Sequence, residues 1–246
     1  MEKINKLKKL FKNYDLDGYI VPKNDEFFSE YIPENKDRLK FISNFSGSYG
    51  FALILKNRNY LFVDGRYTLQ AKIQSKKLFE IVTIPNKFPF DVLKKKRLNI
   101  GFDPKLHTQK GLKAFFNKTN CKLVSINQNL IDKLNVQKVN GKLKKFYILP
   151  KQAVGQNYKL KINRLIYLLN KKKINFQFIS SSENIAWLLN IRGQDSKFAP
   201  LPNAYLTLDT NKKINFFCNL NKIENSFKQK FKNIRFIDIK NKDLFL

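Results

Sequence analysis

Leu61-Phe62-Val63-Asp64-Gly65-Arg66-Tyr67-Thr68-Leu69-Gln70-Ala71 reads as the end of a strand, a tight turn and the start of a helix. Residues 60–63 are apolar and strand-like. Asp64 suits an N-cap, because its carboxylate can accept the orphan amide protons of a first helical turn. Residues 67–73 then carry a short helical pattern. Arg66 stands against its local preference: a cation at a helix start faces the positive end of the macrodipole. A residue placed there can serve to meet an anion, since a guanidinium grips a carboxylate in a bidentate fork. The simpler account pairs Arg66 with Asp64 or another nearby carboxylate, as most surface ion pairs do nothing further.

Upstream, apolar residues at three-and-four spacing (Ile4, Leu7, Leu10, Phe11, Tyr14) predict a helix over 2–14. A strand at 19–21, a short helix at 25–31 and helical character at 38–42 follow. Ser43-Asn44-Phe45-Ser46-Gly47-Ser48-Tyr49-Gly50 is a small-residue loop. It lacks the Gly-Lys-Ser/Thr of a phosphate loop, and a strand rather than a helix comes after it. Strands at 51–55 and 60–63 around Lys56-Asn57-Arg58-Asn59 form a hairpin. Downstream we expect a strand at 79–84, a helix at 90–95, a strand at 98–102, a helix at 108–117, a strand at 121–124 and a helix at 127–134. Residues 135–156 lack periodicity and read as an interdomain linker.

The order then recurs. A helix at 158–171, a strand at 175–179, a helix at 182–189 capped by Ser182, the loop Ile191-Arg192-Gly193-Gln194-Asp195 and a hairpin at 204–208 and 214–218 come in turn. A helix at 221–229 and a strand at 234–237 complete the set. Gly18 lies 61 residues before Phe79, and Phe176 lies 59 before Arg235. Such self-similarity marks a duplicated domain. We expect a first domain over 1–135, a linker over 136–156 and a second domain over 157–246. With the first copy as ruler, the second is expected to be cut short by roughly 50 to 70 residues.

Composition narrows the class. With 43% apolar residues, 23 Phe and 10 Tyr, the chain can build packed cores and is not of the disordered type. No apolar run reaches the roughly 18 residues of a membrane span, and no secretory signal opens the chain. The formal charge of +29 invites a nucleic-acid reading. Against it, only seven of the 48 basic residues are Arg, and the Lys residues are scattered through every segment rather than forming a stripe. Cys121 and Cys218 match no metal spacing and read as reduced core thiols of a cytoplasmic protein. His107 is the only histidine, too few for a His-rich metal site, and reads as structural.

Taken together, Tyr19-Ile20-Val21-Pro22, Ser29-Glu30-Tyr31-Ile32, Phe41-Ile42-Ser43-Asn44-Phe45-Ser46-Gly47-Ser48-Tyr49-Gly50, Asp64-Gly65-Arg66-Tyr67-Thr68-Leu69-Gln70-Ala71, Gly101-Phe102-Asp103-Pro104 and Asn184-Ile185-Ala186-Trp187-Leu188-Leu189-Asn190-Ile191-Arg192-Gly193-Gln194-Asp195 resemble the non-catalytic N-terminal half of the long Xaa-Pro aminopeptidases. The resemblance covers nearly the whole chain. It implies an α/β fold: two tandem creatinase-type domains, each a mixed sheet flanked by helices in a ribonuclease-H-like arrangement. It also implies a following "pita-bread" catalytic domain that binds two divalent metals, typically manganese, through two Asp, one His and two Glu. There a metal-bridged hydroxide would attack peptides whose second residue is proline. None of those ligands maps onto this chain, so no catalytic or metal residue is assigned and no activity is expected from the chain alone. The resemblance carries over one role, substrate contact by Arg66. It also implies that the loop of Arg192, Gly193 and Asp195 lies near the catalytic domain, and that the enzyme is a homodimer. The alternatives are a stand-alone binding or scaffold protein derived from such an enzyme, and a basic nucleic-acid-binding protein.

Overall fold

The computed structural model describes residues 1–94, 96–135 and 143–245. The chain divides into two compact units, Met1–Glu26 with Glu34–Val139, and Phe27–Pro33 with Asn140–Leu246.

In the first unit the strands are β1 (Gly18–Pro22), β2 (Gly50–Leu55), β3 (Asn59–Asp64), β4 (Glu80–Ile84), β5 (Asn99–Phe102) and β6 (Lys122–Ser125). They form one sheet in the order β4-β3-β2-β1-β5-β6. β2 runs antiparallel to both β1 and β3, while the pairs β3–β4, β1–β5 and β5–β6 are parallel. Helices are α1 (Glu2–Leu10), α2 (Arg38–Ser43), α3 (Thr68–Ser75), α4 (Pro89–Leu93) and α5 (Gln109–Phe116). Successive strand residues face opposite sides of the sheet, so a strand covered on both faces is apolar throughout. Tyr19, Val21, Ala52, Ile54, Leu61 and Val63 enter one core with Leu7 and Phe11 of the N-terminal helix. Their neighbours Ile20, Leu53, Leu55, Tyr60 and Phe62 enter the other with Leu93, Leu112 and Phe116.

In the second unit β7 (Tyr147–Ile148), β8 (Phe176–Ile179), β9 (Ile191–Arg192), β10 (Tyr205–Asp209), β11 (Ile214–Cys218) and β12 (Ile234–Asp238) join α6 (Tyr158–Lys171), α7 (Ser182–Leu189) and α8 (Asn225–Lys230). The main sheet runs β12-β11-β10-β8, and β7 pairs with β9. β8–β10 and β10–β11 are antiparallel and β11–β12 is parallel. That is the pattern of β1, β2, β3 and β4, so the duplication seen in the sequence is a duplication of topology. Even the turn after the hairpin repeats. Asp64 caps a 3-10 turn, Gly65–Tyr67, and Asn219 caps a 3-10 turn, Leu220–Lys222.

Several local expectations are corrected. Residues 25–31 form no helix: Phe28 is left-handed at φ 54°, and the Phe27 ring stacks on Tyr205 at 5.0 Å. Residues 127–134 are turns, because the Asn129 Oδ1 accepts the amides of Ile131 and Asp132 in competition with a helix. The cap of α7 is Ser181, one residue earlier than expected, and the stretch 221–229 divides between the 3-10 turn and α8. Within the stretch read as a linker, 136–142 lies outside the described residues. Phe146, by contrast, is buried in the second core and Tyr147–Ile148 is a strand.

Candidate functional site

Arg66 sits on the 3-10 turn between β3 and α3. The strand ends at Asp64, whose Oδ1 accepts the Arg66 backbone amide at 2.8 Å and its Nε at 2.9 Å, while Oδ2 accepts Nη2 at 3.3 Å. The hydrogen bond from the Arg66 side chain, then that from its amide, holds the Asp64 carboxyl below the usual carboxylate range. The arginine does pair with Asp64, yet its side chain stays 72% exposed and its Nη1 finds no acceptor among the described residues. A guanidinium gripped on one edge and open on the other is oriented to receive a carboxylate or a carbonyl oxygen.

The neighbouring loop of residues 43–50 is held to this turn. Ser48 Oγ and Tyr67 Oη are 2.7 Å apart, and the Ser46 amide donates to Gln74 Oε1 at 2.9 Å. Gly47 packs on the Phe45 ring, where a Cβ would come within 2.8 Å of a ring carbon. This loop is a packed turn, tied to α3 and to the turn that carries Arg66.

In the second unit Arg192 ends β9, where the sequence predicts a loop over 191–195, and Gly193 and Asp195 lie on the loop after it; each of the three has a structural task. Arg192 Nη1 donates to the carbonyls of Ile191 (2.9 Å) and Ala186 (3.3 Å). The Asp195 side chain is 4% exposed, accepts the Asn203 amide at 2.7 Å and is paired with Lys222. Gly193 is there because backbone lies against it: a Cβ would meet Pro202 Cα at 2.7 Å and Leu201 O at 2.8 Å. Gly193→Ala is therefore expected to cost about 1–3 kcal/mol, the range for overpacking where only backbone can yield. Thermal unfolding would show it; an unchanged midpoint would contradict the geometry.

His107 packs edge-on against Phe102, and burial pushes its imidazole down to about 4, so it is neutral at pH 7. Burial pushes the Cys218 thiol up to about 12, which leaves it inert as a nucleophile. Among the described residues no group of three or more His, Cys, Asp or Glu is arranged to hold a metal ion, and no helix is long and apolar enough to cross a membrane.

The sequence reading missed two polar centres. Arg38, 1% exposed, donates Nε and Nη2 to the two oxygens of Asp132 and Nη2 also to Glu26, all at 2.7 Å. Lys222 neutralises Asp195. The first had a signal: in a chain that uses Lys almost everywhere, an Arg marks a place that needs a planar fork.

Each unit is thus a mixed-sheet α/β domain, the two share one four-strand pattern, and the first carries an oriented arginine. The family model of the creatinase/prolidase N-terminal domain matches residues 3–135, and a second model of the same description matches 137–245. The chain belongs to the creatinase/prolidase N-terminal domain family. Among curated relatives, a probable Xaa-Pro aminopeptidase P of Laccaria bicolor is 31% identical over 220 residues, 85% of this chain and 34% of that protein. Aminopeptidase P1 of Lotus japonicus is 30% identical over 203 residues, 80% of this chain and 31% of its own length. The chain thus spans about a third of the length of these relatives. The crystal structure of X-prolyl aminopeptidase from Caenorhabditis elegans, described as a cytosolic enzyme with a di-nuclear active site, superposes with a TM-score of 0.87 at 27% identity. The match covers 98% of this chain and 42% of that one.

Proposed function

We propose that this chain is the non-catalytic N-terminal region of a cytoplasmic, homodimeric Xaa-Pro aminopeptidase, which gates access of proline-containing peptides and contacts them through Arg66. The observation that carries the reading is the open edge of the Arg66 guanidinium, in a chain similar to Xaa-Pro aminopeptidases over most of its length. The loop of Arg192, Gly193 and Asp195 belongs to the face toward a catalytic domain. Its rigidity, from the Lys222 pair and the tight Gly193 contacts, supports that reading. The chemistry of two divalent metals, manganese in this reading, would be supplied by residues outside this chain.

Two measurements test the proposal. The pure 246-residue chain is expected to release no amino acid from an Xaa-Pro peptide with or without manganese; measurable turnover would sink the reading. In a chimera with the chain in place of the matching region of the C. elegans enzyme, Arg66→Ala is expected to lower kcat/KM about 10- to 100-fold. That follows from one charge-assisted hydrogen bond of about 1.5–3 kcal/mol. An unchanged kcat/KM would remove Arg66 from the substrate site.

A further inference from the structure

We infer that Tyr67 is a positioning residue, which latches the loop of residues 43–50 to the 3-10 turn and holds the Arg66 guanidinium with its Nη1 edge open. The inference rests on the reading of Arg66 as a substrate contact. The Tyr67 ring is fixed at two points. Its hydroxyl is 2.7 Å from Ser48 Oγ, and its edge meets the buried Phe45 ring at 5.9 Å and 75°. Over its face lies the Arg66 guanidinium, 5.4 Å from the ring centroid. Asp64 therefore fixes one edge of the guanidinium and Tyr67 supports its plane. The loop that carries Ser48 is anchored independently on α3, where Gln74 Nε2 donates to Ser46 Oγ at 2.9 Å.

The second copy supplies an internal control. Its turn Leu220–Lys222 is capped by Asn219 as Gly65–Tyr67 is capped by Asp64, so Lys222 stands at the position of Tyr67 and Asn221 at that of Arg66. Lys222 pairs with Asp195, which lies on the loop before β10, as Ser48 lies on the loop before β2. Both copies thus join the third residue of the turn to the preceding loop. The second does so with an ion pair, and carries no guanidinium beside it. In the first copy a lysine latch would repel Arg66, whereas a tyrosine reaches the loop hydroxyl and offers the cation its negative face. The latch is present in both copies, and its aromatic form stands beside the arginine.

The test uses the 246-residue chain with labelled arginine side chains. Nuclear magnetic resonance of the Arg66 Nε–H reads its hydrogen exchange and order, with exposed Arg164 as the reference. Tyr67→Leu is expected to speed Arg66 Nε–H exchange roughly two- to fivefold toward that of Arg164, the scale of an exposed cation–π contact. Tyr67→Phe, which keeps the ring, and Ser48→Ala are expected to loosen the loop amides while Arg66 exchange changes less. Unchanged Arg66 exchange and order in Tyr67→Leu would overturn the inference, whereas an unfolded Tyr67→Leu would shift the decision to Tyr67→Phe and Ser48→Ala, whose intact loop amides would overturn it. Titration with glycyl-proline separates the two readings. If Arg66→Ala binds the dipeptide as the parent chain does while Tyr67→Leu frees Arg66, the substrate reading fails and the positioning role stands.

Discussion

Arg38→Ala is expected to destabilise the first unit by about 3–5 kcal/mol, the cost of removing one partner from a buried ion-pair cluster. The arginine is 1% exposed and bridges Asp132 and Glu26. Without it two carboxylates stay in place with their main counter-charge gone. Asp132 is partly solvated, with 42% of its side chain exposed, which places the effect at the lower end of that range. Arg38→Lys is expected to recover only part of the loss, since an ammonium cannot bridge Asp132 in a fork and reach Glu26 together. Urea denaturation of the first unit measures both; a cost below about 1 kcal/mol for Arg38→Ala would show that the cluster is energetically idle.

The same cluster gives a pH dependence of known sign. Burial by itself raises the Glu26 carboxyl, but the Arg38 guanidinium and then Lys36 outweigh it and hold the group at about 2, below its ordinary 4.5. A depressed carboxylate contributes stability that is fully present above the unfolded value and is lost as pH falls through the folded value. The first unit is therefore expected to lose stability between about pH 4.5 and pH 2. Glu26→Gln flattens that part of the profile. An unchanged slope in the variant would assign the acid loss to other carboxylates.

Lys222→Ala is expected to cost the second unit about 3 kcal/mol, for the same reason in a different place. Asp195 has a 4% exposed side chain, and with Lys222 gone its remaining bond is the Asn203 amide. The Lys222 stem also covers Phe146, with Nζ 5.7 Å from the ring centroid, so truncation removes packing as well as charge. Pairing Lys222→Met with Asp195→Asn is expected to restore most of the loss, since it removes both charges together. If the double variant is no more stable than Lys222→Ala alone, charge burial is not the cause. Because Lys222 stands where Tyr67 stands in the first copy, this measurement also gives the strength of the second latch.

Much of the architecture was written in local pattern. The apolar runs 51–55 and 60–63 with a polar turn between them could only be a hairpin, and the same run-turn-run recurs at 204–218. The cap at Asp64 was equally legible, because an Asp after a strand and before a helical pattern has one local use. The failures share a cause. Residues 25–31 have helix-compatible composition, yet Phe27 is committed to stacking on Tyr205, some 180 positions away in the chain. Tyr147–Ile148 has no periodicity of its own and becomes a strand only against Ile191–Arg192.

The candidate site divides in the same way. The sequence by itself determined that two copies of one α/β domain follow each other, and that Arg66 stands on a capped turn against its local preference, because periodicity, capping and dipole are short-range effects. Only the tertiary structure decided how the guanidinium is held, by Asp64 on one edge and by a Tyr67 ring latched to Ser48. It alone also showed that Asp195 is a buried charge neutralised by Lys222. Burial and pairing depend on which distant segments meet, and no window of neighbouring residues contains that information.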